Sequence, residues 1–470
     1  MTHPLNDIVK AYDVRGLVAT QLTPQVAYAL GVAVVGELGL EGKPFVIGHD
    51  MRPSSPELAR AMEAGAHAAG ATVMPIGLCS TDMAYFASGH FDAAAAMITA
   101  SHNPAEYNGI KFSKAGAKGV SLNTGLAGIR DRAIAFLEHT PNPEIPGEGA
   151  GETDVLGDYV SYLRQLVDLE KIRPLTVVVD AANGMGGFTV PAVLGEGAGF
   201  APLPLEIVEM YFELDGTFPN HEANPLEPKN LVDLQKAVVE HDADIGIAFD
   251  GDADRCFVVD EHGDPVSPSV IGSLVAKREI TRVREQLGEG SPTVLHNLIC
   301  SMVVKETIEA QGAVAVRTSV GHSLIKDEMA RTNAVFGAEH SAHYYFRDFY
   351  GADSGMLAAL HVLAELGHSG KPLSAIAADY SPYVQSGEIN TRVADTDATV
   401  ARVAEAFVGR GEVDRLDGLS VVGPTSGEGM WWFNVRASNT EPLLRLNVEA
   451  ANQSLLKDIT GEVLAIISSG

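Results

Sequence analysis

A repeated pattern of apolar and polar positions organises most of the chain. A short β-branched run is followed by a polar loop, an amphipathic helical stretch, a Gly-Ala or similar break and a second apolar run, and this unit begins near Phe45, Thr176 and Thr293. In the first copy, Ser55-Pro56 offers a cap and a first-turn proline for the helix. Strands that alternate with helices predict βαβ units with mostly parallel sheets, in which ligands bind beyond the carboxyl ends of the strands.

The last hundred residues lack this unit. After about Gly370 the pattern predicts strands over 382–392, 431–436 and 443–448 and a helix over 397–408, which is typical of a smaller α+β domain. The Pro- and Gly-rich stretch 140–153 predicts the first linker. The domains are therefore expected to span 1–150, 151–262, 263–370 and 371–470.

Composition and charge exclude several classes of protein. The 470 residues, with 46% hydrophobic and 20% charged positions, predict a globular protein of several domains. A formal net charge of −28 argues against nucleic acid or an anionic membrane surface as a partner. Apolar stretches are interrupted before membrane-spanning length and residues 1–10 lack a signal core, so a cytoplasmic location is expected. The three widely spaced cysteines indicate neither a disulfide framework nor a zinc site.

An acidic loop is the first candidate for chemistry. Asp250, Asp252 and Asp254 alternate between two apolar runs and are followed by Arg255. Three carboxylates that face one point repel each other unless a cation neutralises them, and oxygen ligands favour Mg²⁺ or Ca²⁺. An EF-hand calcium loop, completed by Glu261, is the alternative. Arg255 at the position that needs glycine, and strand-like flanks where helices are required, argue against it.

A serine loop is the second candidate. Ser101 follows the apolar run 94–98 and lies in the sequence Thr-Ala-Ser-His-Asn-Pro. His102, Lys111 and Arg255 could take its proton and neutralise phosphate charge if the fold brings them together. Taken alone, a Ser-His pair before Asn-Pro is typical of an ordinary turn.

The two loops together resemble the active-site serine loop and the metal loop of the α-D-phosphohexomutase superfamily. The resemblance extends along the whole chain, because 10–16 resembles the opening segment of that family, 339–343 its sugar-recognition loop and 436–440 its phosphate-binding loop. It implies an α/β fold with three similar α/β domains that contain mixed sheets, and a smaller α+β C-terminal domain, around a central cleft.

The resemblance also implies roles for individual residues. Ser101 would be phosphorylated and would hold Mg²⁺ together with Asp250, Asp252 and Asp254, and Arg255 and Lys111 would neutralise phosphate charge. By the same resemblance, His102 and His343 would act as general acid or base. Contacts with the sugar and the cleft would come from Tyr12, Arg15, Gly321, His322, Glu339 and Ser341. The distal phosphate would be bound by Arg436, Ser438, Asn439 and Thr440. One departure is Ile299, where some relatives place a lysine in the cleft.

The activity implied by the resemblance is the interconversion of hexose 6- and 1-phosphates through a phosphoserine and a hexose 1,6-bisphosphate. Glucose 1,6-bisphosphate or mannose 1,6-bisphosphate would be the activator. The loop 337–348 resembles that of bacterial phosphomannomutases, which favours mannose phosphates. Phosphoglucomutase activity or dual specificity remains open, as do a noncatalytic metal-dependent phosphosugar-binding protein and a calcium-stabilised structural module. The sequence leaves the oligomeric state and the physiological direction undecided.

Overall fold

Each of the three repeated units forms a mixed sheet with helices packed on its faces, as seen in a computed structural model of the chain. The structure describes residues 3–140, 142–145, 151–288, 290–437 and 443–469, without the side chains of 322 and 323.

The first unit comprises α1 Leu5–Ile8, β1 Val14–Leu17, α2 Pro24–Leu38, β2 Pro44–His49, α3 Ser55–Ala68, β3 Thr72–Leu78, α4 Thr81–His90, β4 Ala94–Ile98, β5 Tyr107–Lys114, β6 Lys118–Gly119 and α5 Leu126–His139. The second comprises α6 Leu156–Leu166, β7 Leu175–Asp180, α7 Gly186–Val193, β8 Leu205–Met210, α8 Val232–Glu240, β9 Ile245–Phe249, β10 Cys256–Val259 and β11 Pro265–Val266.

The third unit comprises α9 Pro268–Leu287, β12 Thr293–Asn297, α10 Met302–Ala310, β13 Val314–Thr318, α11 His322–Thr332, β14 Phe336–Ala338, β15 Tyr344–Phe346, β16 Ala352–Asp353 and α12 Gly355–Ser369. The C-terminal region comprises α13 Leu373–Ala378, β17 Val384–Arg392, α14 Thr396–Ala406, β18 Glu412–Asp414, β19 Leu419–Val422, β20 Trp431–Ala437, β21 Leu443–Ala450 and α15 Gln453–Ser468.

The three α/β sheets share one topology. Their orders are β1-β5-β4-β2-β3, β11-β10-β9-β7-β8 and β13-β12-β14-β15-β16, and in each sheet three parallel strands continue into antiparallel ones. The mixed sheets are thus confirmed, whereas the repeats alone had predicted mostly parallel sheets. The reason is loop length. Parallel neighbours need a crossover of a dozen or more residues, and the loops 99–106, 250–255 and 339–343 are too short for one.

Those three short loops occupy equivalent positions in the three sheets. Each joins the last strand of the parallel set to its antiparallel neighbour: β4 to β5, β9 to β10 and β14 to β15. The predicted chemical motifs lie on these same loops. The fold therefore presents the serine, the aspartates and Glu339 from equivalent edges of three sheets.

The apolar cores show how the units are joined. One core runs from the inner face of the first sheet through the second and third units, and it includes Met83, Tyr159 and Leu357. The outer face of the first sheet has its own core. The fourth sheet, ordered β17-β21-β20-β19-β18 and antiparallel throughout, packs on α14 and α15 around a separate core that contains Phe407 and Phe433. The α+β C-terminal fold is thereby confirmed, while the exact domain limits remain predictions.

In the part of the chain that the structure describes, no helix is both long enough and apolar enough to cross a membrane.

Candidate active site

The serine loop and the acidic loop meet at a buried point between the first two sheets. Ser101 is 4% exposed, and its hydroxyl donates to Asp250 Oδ2 over 2.7 Å. A Cβ at Gly251 would lie 2.4 Å from the Ser101 carbonyl oxygen, so only glycine allows the two backbones to approach this closely. Ser101 itself has φ +49°, a left-handed conformation that a serine rarely adopts and that aims its side chain at the acidic loop.

Two arginines hold the serine loop in this conformation. Arg52 is 1% exposed and donates to the carbonyl oxygens of Ser101 (2.9 Å) and Asn103 (2.6 Å), to a further carbonyl of the same loop and to the first carbonyl of β5. Arg15 donates to the Ala100 carbonyl over 2.9 Å and to the Asn103 side chain. The loop is therefore fixed by charged donors before any ligand arrives.

The acidic loop concentrates three carboxylates in a very small volume. One oxygen from each of Asp250, Asp252 and Asp254 lies within 4.8 Å of the others, and all three side chains are buried. Lys111 from β5 donates to Asp252 over 2.7 Å and to Asp254 over 2.6 Å. Arg255 Nε donates to Asp250 over 2.9 Å. The first unit thus supplies the ammonium group that partly neutralises the acidic loop of the second.

The pKa shifts of the aspartates and of Lys111 reflect this crowding of charge. Burial and the charge of Asp252 raise the pKa of Asp254 well above its usual value. Burial acts in the same sense on Asp252, but Lys111 outweighs it and lowers the pKa of that carboxyl. Burial would lower the pKa of Lys111, yet the two aspartates raise it well above its usual range. One ammonium group is therefore too little charge for the whole triad.

The donor set fits a hard divalent cation. All the ligand atoms are oxygens, and Oδ1 of Asp252 and Oδ1 of Asp254 are buried without a hydrogen-bond donor among the described residues. The EF-hand alternative is wrong, because the loop joins strands β9 and β10 and not two helices. Its supposed last ligand, Glu261, instead accepts hydrogen bonds from Ser374.

The third loop brings a buried carboxylate and an imidazole close to the acidic loop. Glu339 is 3% exposed and accepts from Gly321 N (3.2 Å) and the Tyr345 hydroxyl (2.8 Å), with Asn297 as a third donor. His343 forms an antiparallel bridge with Arg255, so the sugar-loop candidate lies directly beside the acidic loop. Glu339 is a fixed carboxylate and not a solvated loop residue.

Both candidate histidines have a lowered pKa, which keeps them uncharged at neutral pH. Burial lowers the pKa of His343, whose Nδ1 lies 3.0 Å from the Ser341 hydroxyl. Desolvation by the cleft walls and the Arg255 charge lower the pKa of His102, whose Nδ1 lies 3.2 Å from Ser101 Oγ. The His102 side chain remains exposed to the cleft solvent, which moderates the effect of desolvation on it. At neutral pH the imidazoles are thus uncharged bases.

The other predicted residues are placed as follows. Tyr12 packs against Gly321, since a Cβ there would lie 2.7 Å from the tyrosine hydroxyl oxygen. Arg436 lies at the end of β20 beside Glu388. Ile299 is buried and contributes no charge. The remaining predictions, namely Ser438, Asn439 and Thr440 and the side chain of His322, lie outside the described residues.

A buried carboxylate ties the three α/β units together beside the acidic loop. Asp82 Oδ2 accepts from the Tyr159 hydroxyl of α6 and from the Ser354 hydroxyl at the start of α12, each over 2.7 Å. The preceding residue, Thr81, donates from its hydroxyl to Asp252 Oδ2 over 2.5 Å and from its amide to the Asp252 carbonyl over 3.0 Å. The start of α4 therefore fixes the acidic loop and the neighbouring units at once.

Arg52, Thr81 and Asp82 were missed in the sequence analysis. Each follows a strand of the first sheet, β2 or β3, on the same edge as Ser101. The rule that ligands bind beyond the carboxyl ends of parallel strands was the available signal for them. The same signal pointed to Asn297, a donor to Glu339 at the end of the parallel strand β12, whereas Tyr345 carried none because it lies within β15, which reads as apolar core.

Mixed sheets around a buried serine and a three-carboxylate loop define this chain as a phosphotransfer-type α/β protein. Four domain models of the phosphoglucomutase/phosphomannomutase family match this chain. They are α/β/α domain I over 6–132, domain II over 157–263, domain III over 267–383 and the C-terminal domain over 388–466. The chain belongs to the phosphoglucomutase/phosphomannomutase family, which confirms the resemblance inferred from the motifs.

Similar proteins are found at full length. A Xanthomonas campestris protein described as phosphohexose mutases is 40% identical over 97% of this chain and 97% of its own length. A Salmonella montevideo phosphomannomutase is 36% identical over 98% of both chains. A solved Burkholderia thailandensis structure, described as a phosphoglucomutase/phosphomannomutase family protein, has 29% identity and a TM-score of 0.85, covering 100% of this chain and 98% of its own.

The Asp82 junction predicts a specific pH dependence of stability. Burial raises the pKa of Asp82 to about 6 from 3.8, against the lowering effect of its hydroxyl donors. The folded protein therefore binds the Asp82 proton more tightly than the unfolded chain does. The resulting stabilisation of the folded state is complete below about pH 3.8 and is lost as the pH rises through 6. The shift corresponds to about 3 kcal/mol in total.

Asp82→Asn should remove this dependence. The amide can be accommodated because all three side-chain partners are hydroxyls, which can reverse their direction of donation. From pH 5 to 7.5 the stability of wild type should fall relative to the variant by roughly 1 kcal/mol or more, as measured by urea unfolding. Asp379→Asn, an exposed carboxylate, is the control for charge loss. Parallel pH profiles for wild type and Asp82→Asn would contradict the assignment.

Proposed function

We propose that the chain is a phosphomannomutase-type isomerase, which interconverts mannose 6-phosphate and mannose 1-phosphate through a phosphoserine and a hexose 1,6-bisphosphate. The main support for the proposal is the 2.7 Å hydrogen bond from Ser101 Oγ to Asp250 Oδ2, one of three carboxylates clustered in the acidic loop. Relatives named phosphomannomutase, with 36% identity over nearly the whole chain, support the substrate class.

In the proposed reaction Ser101 carries a phosphoryl group between the two ends of the sugar. A substrate hydroxyl attacks the phosphorus of phosphorylated Ser101, the new sugar O–P bond forms, the serine O–P bond breaks and the hydroxyl proton passes to a base. The resulting bisphosphate turns around, and the other phosphoryl group returns to Ser101. His343 and His102, whose pKa values are lowered by burial and desolvation, are the candidate bases.

In the proposed reaction the residues around the serine neutralise the charge of the phosphoryl group. Asp250, Asp252 and Asp254 would hold Mg²⁺ with an oxygen of Ser101, and the bound metal would supply Lewis-acid neutralisation of the transferring group. Arg255 keeps its buried Nη2 without a hydrogen-bond acceptor among the described residues, so it has a donor to spare for a phosphoryl oxygen. Lys111 stabilises the aspartates and adds positive charge at the same point.

Sugar recognition is proposed for Glu339 and Ser341. A carboxylate has about four acceptor positions, and the structure uses three of those on Glu339 for protein donors. Glu339 keeps acceptor capacity beyond these three donors, and the Ser341 hydroxyl lies 3.0 Å from His343 Nδ1, so both groups are suited to sugar hydroxyls. Tyr12, Arg15, Gly321 and His322 are proposed to line the same cleft. A hexose 1,6-bisphosphate is the proposed activator, since it would restore the phosphoserine.

A broader hexose specificity is the second candidate, because the relative with 40% identity is described as phosphohexose mutases. Turnover of mannose 1-phosphate, glucose 1-phosphate and glucosamine 1-phosphate, each with a bisphosphate primer, distinguishes the two. A clear preference for mannose phosphate supports the first assignment, and equal kcat/KM for mannose and glucose supports the second. Absence of turnover on all three would overturn both.

Ser101→Ala should lower kcat by about a thousandfold or more, because the acceptor of the covalent step is lost. Labelled hexose bisphosphate should label wild type and leave this variant unlabelled. Ser381→Ala, which changes an exposed serine, is the matched control and should keep both label and activity. Turnover of Ser101→Ala within tenfold of wild type would exclude the serine as the carrier.

Asp252→Asn should weaken Mg²⁺ binding by about tenfold to a hundredfold or more, which is the loss typical of substitutions around a metal site. Calorimetric titration with Mg²⁺ measures this independently of turnover, and activity should fall in parallel. Asp264→Asn, an exposed aspartate that follows the next strand, β10, is the control. Unchanged Mg²⁺ affinity in Asp252→Asn would show that the metal binds elsewhere.

Substitutions of Arg436 and Glu339 should distinguish phosphate binding from sugar recognition. Arg436→Ala should cost about 1.5–3 kcal/mol, or roughly tenfold to a hundredfold in kcat/KM, by similar factors for mannose and glucose phosphates. Glu339→Ala should instead change the ratio of the two kcat/KM values, since hydroxyl geometry distinguishes the sugars. An effect of Arg436→Ala on one sugar alone would contradict the phosphate assignment.

A further inference from the structure

A loop of the second unit reaches the arginine that holds the serine loop in the first. This loop, 211–225, follows β8. A Cβ at Gly216 would lie 2.5 Å from the Cα of Arg52, so the two backbones are in direct contact. Two residues later, the Phe218 ring packs on the Arg52 guanidinium, with 5.0 Å between its centroid and Cζ. The side chain that fixes the serine loop is therefore itself contacted by another unit.

Phe218 has a strained backbone. Its φ is +53°, in the left-handed region that a bulky residue rarely adopts. The Phe218 amide donates to the Asp215 carbonyl over 3.0 Å and closes a tight turn, within which Asp215 Oδ1 accepts from the amide and the hydroxyl of Thr217. Such strain persists only where the surrounding structure imposes it. Here the turn places the half-buried ring against Arg52.

One buried asparagine anchors this loop to the second sheet. Asn183 is 3% exposed; its amide donates to the Tyr211 carbonyl over 2.8 Å, and its carbonyl accepts from the Asp215 amide over 3.0 Å. Its side chain donates to the Glu213 carbonyl and accepts from the Asn220 side chain, each over 2.8 Å. The loop is therefore fixed at several points along its length before it reaches Arg52.

The same anchor also supports the acidic loop. A Cβ at Gly184, the residue after Asn183, would lie 2.7 Å from the Gly251 carbonyl oxygen, which also accepts from the Met185 amide over 2.9 Å. Gly251 in turn is the residue that approaches the Ser101 carbonyl. The second unit thus contacts the serine loop directly at Gly251 and indirectly through Arg52, and one asparagine-centred segment lies behind both contacts.

The hydrogen bonds of Arg52 do not restrain its whole guanidinium group. Nη1 and Nη2 donate to four carbonyl oxygens, whereas Nε is buried without a hydrogen-bond acceptor among the described residues. Asp50 Oδ2 lies 3.4 Å from that Nε. An aromatic ring attracts a desolvated guanidinium packed on its face. Contact with Phe218 therefore restrains the plane of the guanidinium where hydrogen bonding at Nε does not.

We propose that Phe218 is a positioning residue for Ser101, which acts by holding Arg52 in the orientation that fixes the serine loop. The proposal rests on the proposed function, since it concerns the serine that would carry the phosphoryl group. It means that docking of the second unit supplies both the acidic loop and the contact that keeps Ser101 aimed at it. Without the ring, the serine loop should sample other conformations and Ser101 should lose its alignment with Asp250.

Phe218→Leu should lower kcat, and the rate at which labelled hexose bisphosphate labels the protein, by about tenfold to a hundredfold, because small displacements of a reacting group are costly. KM for mannose 1-phosphate should stay unchanged, since the substrate does not touch Phe218. Hydrogen exchange of the segment 99–106, followed by mass spectrometry, should become faster. Phe218→Tyr keeps the ring and should restore all three measurements to wild-type values.

Phe200 provides a matched control in the same unit. It packs on the guanidinium of Arg164 with 5.5 Å between ring centroid and Cζ, and Arg164 also donates to backbone carbonyls, those of Val193, Gly195 and Ala201. Phe200→Leu therefore removes the same kind of contact from an arginine that holds no part of the serine loop. It should leave kcat, the labelling rate and the exchange of 99–106 unchanged.

Gly216→Ala is an independent second variant, which also decides the question if Phe218→Leu does not fold. Its added Cβ forces the loop away from Arg52 while the ring is kept, so kcat and labelling should fall and exchange of 99–106 should rise. Normal labelling, turnover and exchange in Phe218→Leu or Gly216→Ala would refute the role of Phe218 and leave the proposed function intact. Equal losses in Phe200→Leu would also refute it. Absence of label and turnover in the wild-type protein would instead overturn the proposed function.

Discussion

Repulsion among three buried carboxylates is the constraint on which the centre of this protein depends. Asp250, Asp252 and Asp254 lie too close together to be stable on their own, and among its described residues the second unit contributes only Arg255 against them. The missing positive charge comes from Lys111, on the first sheet. The acidic loop is therefore complete only when the first two units are docked, and a divalent cation would satisfy what Lys111 leaves unbalanced.

This need explains the close joining of the first three units. They share a continuous apolar core, and the buried Asp82 carboxylate collects hydroxyl donors from the second and third units while Thr81 holds Asp252. The fourth sheet has its own core and meets the third unit through polar contacts, such as Glu449 with the amide of Met302 at the start of α10. Precise geometry around the serine thus belongs to the docked three-unit body, whereas Arg436 is carried by a separately packed domain.

The surface and the cleft have opposite electrostatic characters. The chain carries a net charge of −28, yet Arg15, Arg52, Lys111 and Arg255 all converge on the serine and acidic loops. Local cations inside the cleft, and not the overall charge, determine whether a phosphorylated ligand can be bound. Desolvation lowers the pKa of His102, and Arg255, Arg15 and Lys111 lower it further, so positive charge that attracts a phosphate also keeps a neighbouring imidazole neutral.

The sequence by itself determined the repeated α/β units, the α+β character of the last domain and the short loops that carry Ser101, the three aspartates and Glu339. These features are local: apolar periodicity sets the strands, and a few consecutive residues form each loop. The repeats alone predicted mostly parallel sheets, and the antiparallel strands follow from loops that are too short for a parallel crossover. Only the tertiary structure decided that Lys111 neutralises the acidic loop, that Arg52 and Asp82 hold the loops in place and that Glu388 lies beside Arg436. Each of these contacts joins residues distant in the chain, and its energy depends on burial and distance, which a linear pattern of residue types does not specify.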